Sequence, residues 1–304
     1  MTERHDPGLA AIMGERQRLL GLAYRLLGSL SEAEDAVQET YVRWYSMPPE
    51  GQAAVENTAA WLTTVAGRIC LNQLGSARAR RERYVGEWIP EPLPGGEWLG
   101  GRSGAAPADP ADRVTLDESV NMAFLVVLEA MTPAERVAFV LHDVFRYPFN
   151  EVAAIVGRSP AACRQLASSA RRRIGDARPP VGPDARQADT VRHFKRAWES
   201  RDMTALVDLL DPNALATGDG GGLVTATLHP IEGGARIADY LMALADKVHG
   251  QELIETTVNG RPGLVARQDG AVAAVYAFAT ANGRITRLWA VRNPEKLRSW
   301  TAAA

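Results

Sequence analysis

NEVAAIVGRSPAACRQLASSARRRI, residues 150–174, is the stretch on which the reading of the chain turns. Two runs of helical periodicity, Asn150 to Val156 and Ala161 to Ile174, are separated by Gly157, Ser159 and Pro160. Glycine ends a helix because it takes up a left-handed conformation without a Cβ penalty, and proline suits the first position of the next helix. Two helices joined by so tight a turn form a helix-turn-helix. Val152, Ala153, Ile155, Val156 and Leu166 are left for a core, while Arg164, Gln165 and Ser168 share one face of the second helix. In a major groove, arginine bridges guanine O6 and N7 and glutamine pairs with adenine. Arg171, Arg172 and Arg173 stand farther along, where phosphates run. Arg158 and Ser159, at the turn, complete the candidate DNA contacts of this motif.

Upstream of the motif, Thr132, Pro133 and Glu135 predict a capped helix start. Pro179, Pro180, Gly182 and Pro183 close the unit downstream. From Leu9 to Tyr84 apolar residues again recur at helical spacing, as in Leu19, Leu22, Ala23 and Leu26, then Ala33, Val37, Tyr41 and Trp44. Gly28 ends one helix, and Ser31 with Glu34 predicts a capping box opening the next. A third helix is expected from about Ala59 to Arg83, after a loop from Ser46 to Asn57.

Charge is local. Residues 61–84 hold Arg68, Arg78, Arg80, Arg81 and Arg83 against Glu82, and residues 158–178 hold six arginines against Asp176. One such cluster reads as a solvated helix end, favourable to the dipole; two of them, one on a helix-turn-helix, point to nucleic acid. Trp61, Tyr41, Trp44 and Tyr45 beside the first cluster suit unstacked bases, unless they are core. Glu32, Glu34, Asp35 and Glu39 instead make an acidic helix start, suited to a basic protein.

Gly86 to Asp112 is a glycine- and proline-rich linker, in which Trp88, Ile89, Leu93, Trp98 and Leu99 suggest docking on a folded surface. From Thr190 the pattern changes. Val191–Leu210 and Ala235–Ala245 read as helices. Val224–Leu228, Leu253–Val258, Gly263–Gln268, Ala271–Ala279 and Ile285–Val291 read as strands. Asn259-Gly260, Asp269-Gly270 and Asn282-Gly283 are hairpin turns, since these residues accept positive φ. An α+β domain with an antiparallel sheet is expected.

The averages exclude other classes. The 304 residues carry 34 Lys and Arg against 36 Asp and Glu, so no global charge marks a nucleic-acid binder. Cys70 and Cys163 lie apart from any Cys/His cluster, so neither a metal site nor a disulfide framework is expected. No apolar run reaches the roughly 18 residues a membrane span needs. The start of the chain lacks a signal-peptide pattern, so a cytoplasmic location is expected.

Separated motifs resemble a known family. Gly28-Ser29 with Glu32 to Thr40 resembles the polymerase-binding helix of region 2 in extracytoplasmic-function sigma factors. Ala60 to Val65 resembles the start of their promoter-melting helix, and Leu128 with Met131 to Arg136 and the helix-turn-helix resembles their region 4. Trp88-Ile89-Pro90-Glu91-Pro92, Asp219-Gly220-Gly221-Gly222 and Asn293-Pro294-Glu295-Lys296-Leu297 are similar to signatures of a subgroup with a SnoaL-like (NTF2-like) C-terminal domain. Asn72, Gly75, Leu223 and Pro148 depart from the family's usual residues.

The resemblance implies two all-α sigma domains, 1–87 (region 2) and 113–178 (region 4), with linkers at 88–112 and 179–187 and an α+β regulatory domain at 188–304. It implies core RNA polymerase and promoter DNA as partners, with no cofactor. Asp35, Gln38, Glu39 and Arg43 would face the polymerase. Asn57, Trp61, Arg68, Asn72, Arg78, Arg80 and Arg81 would read and melt the -10 region, and Arg164, Gln165 and Ser168 the -35 region. The signature residues around Trp88, Asp219 and Asn293 would carry regulation between domains. Two other readings remain: a helix-turn-helix regulator whose last domain senses a ligand, and a SnoaL-type cyclase using Asp219, His193 or His229 in proton transfer.

Overall fold

The computed structural model describes residues 7–81, 84–95, 118–177, 186–248 and 250–301. The expectations resting on Trp98, Leu99, Pro179, Pro180, Gly182, Pro183 and the side chains of Arg78, Arg80, Arg81 and Arg83 lie outside the described residues. The chain forms two compact units. The first comprises Met1–Ala79, Trp98–Ser119 and Val127–Ala177; the second comprises Arg80–Glu97, Val120–Val126 and Arg178–Ala304.

The first unit is helical. Its elements are α1 (Pro7–Leu27), α2 (Leu30–Tyr45), α3 (Pro49–Ala53) and α4 (Thr58–Arg81). The end of α5 (Met122–Glu129) follows, then α6 (Pro133–Phe139), a π turn over Val140–Val144, α7 (Phe149–Val156) and α8 (Pro160–Ala177). Gly28 at φ 70° ends α1, donating to Tyr24 O at 2.7 Å. The cap of α2 is Ser29, not Ser31: its hydroxyl accepts from the Glu32 N–H, and Ser31 Oγ lies 3.1 Å from Ser29 Oγ. The capping box of Thr132 and Glu135 forms as the spacing predicts. Pro148 caps α7 with no side-chain bond, consistent with its lack of a polar oxygen.

Buried Leu22, Ala23, Leu26, Val37, Leu62 and Ile69 build the core under α1, α2 and α4, while Val137, Leu141, Val152, Ile155, Cys163 and Ala167 build that of α6 to α8. Two fully buried arginines link them. Arg25 of α1 donates to Ser119 Oγ at 2.6 Å and stands over the Phe145 ring, and Arg136 of α6 donates to Leu26 O and Glu129 at 2.8 and 2.7 Å. These bonds offset much of the cost of burying a guanidinium, while Arg136 Nε is left without a hydrogen-bond partner. Both cysteines are buried and their thiols pushed up by burial, Cys70 to about 12, so neither is a ready thiolate.

The second unit is α+β. Helices α9 (Gln187–Glu199), α10 (Met203–Leu209) and α11 (Gly234–Lys247) accompany β1 (Leu210–Asp219), β2 (Ile231–Glu232), β3 (Gln251–Val258), β4 (Arg261–Gln268), β5 (Ala271–Ala281) and β6 (Arg284–Val291). A 3-10 turn, Pro294–Leu297, and α12 (Arg298–Thr301) end it. The sheet order is β2-β1-β6-β5-β4-β3. Asn259, Asp269 and Asn282 have φ of 51°, 52° and 54°, as their hairpin turns require.

Two expectations are corrected. The sheet is mixed, because β1 runs parallel to β6. The strand expected at Val224–Leu228 is a loop; β6 is partnered instead by Leu210–Asp219, whose first residue the helical pattern had absorbed, and the two-residue β2 forms the edge. Pro212 and Asp211 there disguise a strand, since proline is confined to strand edges or bulges; the register shifts between Leu210 and Leu215.

Each face of the sheet has its own cover. One packs Phe194, Trp198, Leu206, Ile237 and Leu241 of the helices on Tyr276, Phe278 and Leu288. The other packs Ile89 of the linker, Met122 at the start of α5, and Leu297 and Trp300 of the tail on Val265, Val275, Ala277 and Trp289. The linker is thus part of the second unit's core.

Candidate nucleic-acid interface and linker-binding site

In α8, Cys163, Ala167 and Ala170 point inward at spacings of three and four, leaving Arg164, Gln165 and Ser168 exposed together. The turn before it has Gly157 at φ 71° and Ser159, whose Oγ accepts from Ala162 N at 3.2 Å. The first ends α7 and the second caps the start of α8. Arg164 also lies 5.5 Å over the Phe149 ring, so its guanidinium is held near the surface by α7. Arg171 is bonded to Asp143 at 2.6 Å, and Arg172 is exposed beside it.

Trp44 is core, 5% exposed, and Trp61 packs edge-on against it at 5.1 Å while staying half-buried. Asn57 accepts from Ala60 N and so caps α4, and Asn72 is exposed farther along. Arg68 does not project freely: its guanidinium donates to Ala154 O of α7 at 2.8 Å. Nearby, Thr63 and Tyr147 share a buried hydroxyl bond of 2.8 Å, and Arg18 bonds the same phenol. Gly67 fits under Ile155 so closely that a Cβ would come within 2.8 Å of Cγ2. Helices α4 and α7 are therefore in intimate contact.

On α2, Glu34, Asp35, Gln38 and Glu39 are exposed while Ala33, Ala36, Val37 and Thr40 are buried. Within the helix, Glu39 pairs with Arg43 at 3.0 Å, one turn on. An exposed pair of this kind is weak and leaves the face open to a stronger partner.

In the second unit, β1 ends in Asp219, fully buried and surrounded by donors. Its Oδ1 accepts from Tyr84 Oη at 2.6 Å and Gly221 N at 3.0 Å; its Oδ2 accepts from Ile89 N at 3.0 Å and Lys296 Nζ at 2.7 Å. Lys296 also donates to Ile89 O and sits 4.1 Å over the Trp88 ring. Trp300 Nε1 donates to Pro92 O at 2.8 Å, and Asn293 Nδ2 to Tyr84 Oη at 2.8 Å. Burial and then the Asp219 bond push the Tyr84 phenol well above its usual range, so it stays a donor.

The three glycines after Asp219 let backbone come this close. A Cβ on Gly221 would meet Asn293 at 2.3 Å and one on Gly222 would meet Val85 at 3.1 Å, at φ of 62° and 73°. The site thus joins the three signatures around Trp88, Asp219 and Asn293, while Glu91 and Pro90 are buried beside it. Sequence spacing gave no sign of Tyr84, which lies outside those signatures and takes part through its hydroxyl.

A cavity of about 30 Å³ lies between α11 and the sheet, lined by Ala216, Ile237, Leu241, Tyr276 and Leu288 among others. It has room for about two waters. Asp219, His193 and His229 do not line it, and both histidines are exposed. Among the described residues no group of His, Cys, Asp and Glu could hold a metal, and no helix is long and apolar enough to cross a membrane.

A helix-turn-helix with an exposed polar face, an acidic helix beside it and a second unit clasping a linker match known proteins along almost their whole length. The chain belongs to the extracytoplasmic-function RNA polymerase sigma factors. Sigma-70 region 2 matches residues 12–80 and Sigma-70 region 4 matches residues 121–174. The sigma factor SigJ of Mycobacterium tuberculosis is 36% identical over 92% of this chain and 90% of its own. The probable sigma factor SigI of the same species is 34% identical over 97% and 96%. The crystal structure of SigJ superposes with a TM-score of 0.74 at 30% identity, covering 96% of this chain and 98% of that one.

Proposed function

We propose that this protein binds core RNA polymerase, directs it to promoters and helps open the duplex, under control in cis from residues 188–304. Family membership supports the partners; the observation that carries the assignment of surfaces is the exposed Arg164, Gln165 and Ser168 face on a glycine-turned second helix. Asp35, Gln38, Glu39 and Arg43 meet the polymerase. Asn57, Trp61, Arg68 and Asn72, with Arg78, Arg80 and Arg81, act at the -10 region, and α8 with Arg158, Ser159, Arg171 and Arg172 acts at the -35 region. By position these surfaces belong to domains at 1–87 and 113–178, joined by the linker at 88–112, with the linker at 179–187 leading on to the domain at 188–304.

The two promoter elements lie 25 base pairs apart by name, about 85 Å at roughly 3.4 Å per pair. Helices α4 and α7 touch in this structure, through Arg68 and Ala154 and through Gly67 and Ile155. Promoter engagement therefore requires them to part, and Arg68 to exchange Ala154 for a phosphate. What governs that parting is the linker, and the linker is held by Asp219 and Lys296, with Asn293 holding Tyr84 just before it. The regulatory role of the C-terminal domain rests on this grip.

Reversal of charge by Asp35→Arg with Glu39→Arg is expected to abolish binding to core polymerase while circular dichroism stays as in the wild type; near-normal affinity would sink the polymerase assignment. Lys296→Met in the full chain is expected to change transcription without changing polymerase affinity. Unchanged transcription would remove the control in cis.

A further inference from the structure

Asn259, read from sequence only as half of a hairpin turn, lies 1% exposed between β3 and β4. A turn asparagine is ordinarily at the surface, where its short polar side chain meets water. Here the amide is occupied on both sides. Its Oδ1 accepts from Leu93 N at 3.0 Å, and its Nδ2 donates to Val120 O at 2.9 Å. Leu93 belongs to the linker just before the undescribed residues 96–117, and Val120 lies just after them, at the lead into α5. One side chain thus bonds the backbone at both ends of the tether that separates region 2 from region 4.

The backbone around it reinforces the first grip. Asn259 N donates to Leu93 O at 2.9 Å, Gly95 N donates to Thr257 O at 2.9 Å, and Pro94 bridges Val258 in antiparallel sense. Strand β3 is an edge of the sheet, so the linker adds to an edge that would otherwise present open backbone groups. The second grip is continued by Asn121, whose Oδ1 caps α5 by accepting from Phe124 N at 2.8 Å, and by Met122, packed on the sheet.

We infer that Asn259 is a clasp that short-circuits the tether and so sets how far region 4 can reach from region 2. The inference deepens the regulatory reading of residues 188–304 and rests on it. Leu93 N and Val120 O are held no more than about 8 Å apart, the two bonds plus the width of an amide. With the clasp closed, residues 94–119 are bypassed and add nothing to the reach between region 2 and region 4. With it open they add up to about 90 Å at roughly 3.5 Å per residue. A closed clasp restricts the spacing of promoter elements that one chain can bridge, and an open clasp relaxes it.

Asn259→Gly removes both bonds while keeping the positive φ of 51° acceptable, so the hairpin should persist. Asn259→Asp keeps the acceptor for Leu93 and removes the donor to Val120. The first measurement is hydrogen exchange on the full-length chain. Asn259→Gly is expected to speed exchange about tenfold or more in 89–95 and 119–125, the scale of losing one or two hydrogen bonds, and to leave the β4–β5 hairpin protected. Asn259→Asp is expected to speed 119–125 alone.

The second measurement is transcription by core polymerase carrying each chain, from a promoter selected in vitro out of randomised DNA and rebuilt with the spacing between its elements varied by one to three base pairs. The wild type should show one sharp optimum and both variants a flatter profile, with unchanged affinity for core polymerase. Exchange that stays slow in both variants, or a wild-type spacing profile in variants whose exchange has quickened, overturns the clasp. Should Asn259→Gly loosen the whole sheet, Asn259→Asp alone decides. If Lys296→Met alters transcription and the Asn259 variants do not, only the clasp fails; if none alters it, control in cis fails with it.

Discussion

The exposed face of α8 and the buried site around Asp219 are both made of polar side chains, and they are built on opposite principles. On α8, Arg164, Gln165 and Ser168 come from one turn of one helix and stand in solvent. Around Asp219, groups from the linker, a strand end and the tail converge, and the carboxylate is fully buried. Polar groups meant for an outside partner keep their hydration until that partner arrives. Polar groups meant for the chain itself give it up on folding, and a buried charge is tolerable only because every oxygen is met. The first kind of site sets specificity at little cost to stability; the second makes the position of the linker a condition of folding.

The sharpest way to break the contrast is to empty the buried site. Asp219→Ala takes one carboxylate partner from Lys296 and the Asp219 acceptor from Tyr84, Ile89 N and Gly221 N. Breaking a buried pair from one side costs about 3 to 5 kcal/mol. We predict a loss of this size for the second unit in urea denaturation. Asp219→Leu with Lys296→Met should recover only part of it, because the donors of Ile89 and Gly221 stay unmet. Full recovery would mean that the ion pair alone carries the site.

The matching change on α8 is expected to act on binding instead. Arg164→Ala should weaken recognition of the -35 element by about 1 to 3 kcal/mol, the worth of one bidentate base contact. Arg172→Ala should weaken cognate and scrambled DNA alike and flatten the salt dependence. Equal losses on both DNAs for Arg164→Ala would take it out of base readout. A stability loss approaching that of Asp219→Ala would erase the distinction between the two regions.

Between these extremes stands the contact of α4 with α7, which is close-packed and, on the function proposed above, must separate at a promoter. Gly67→Ala would drive a methyl into Ile155 Cγ2, a branched side chain with little room to turn away. Overpacking of this kind costs about 1 kcal/mol or somewhat more. We predict a modestly lowered melting temperature and faster hydrogen exchange in α7, with polymerase binding retained. No change in exchange would show that α4 and α7 are not held together in solution.

The same contrast explains what the sequence disclosed. Faces of helices were legible because their partners lie three and four residues away: Arg164, Gln165 and Ser168 are exposed together as read, while Leu166, read as core, is half-buried and Cys163, Ala167 and Ala170 take the inward side of α8. The Asp-Gly and Asn-Gly turns were legible because positive φ has few substitutes. Strand β1 was not, since Pro212 and a register shift break its alternation. The partnership of Asp219 with Lys296 was visible only through resemblance: no local rule links residues 77 positions apart. The reach of Asn259 to Leu93 and Val120, across 166 and 139 positions, had no signal at all, because the residue already had a sufficient local reason to be there. Ser31 misled for the converse reason, having the spacing of a cap where Ser29 has the geometry.

The smallest expected effect lies in the first unit, at His142 in the π turn. Its ring stacks on Phe149 at 3.7 Å and its Nδ1 lies 2.8 Å from Tyr147 O. Burial lowers its pKa from the usual histidine range; Asp143 opposes that, and Arg171 and Arg146 add to it. A lowered folded pKa means that the unfolded chain takes up the proton first as pH falls. Stability from this group is therefore present above about pH 6.5, the unfolded value, and is lost as pH drops through the folded one. Unlike Asp219, which is ringed by donors, His142 is only partly screened from water, so the loss should be slight. We predict that the difference in melting temperature between wild type and His142→Gln narrows between pH 7.5 and 5.5, with the wild type losing more. A difference that holds constant across that range would show that the ring does not change charge on unfolding. It would then be a stacking partner of Phe149 and nothing more.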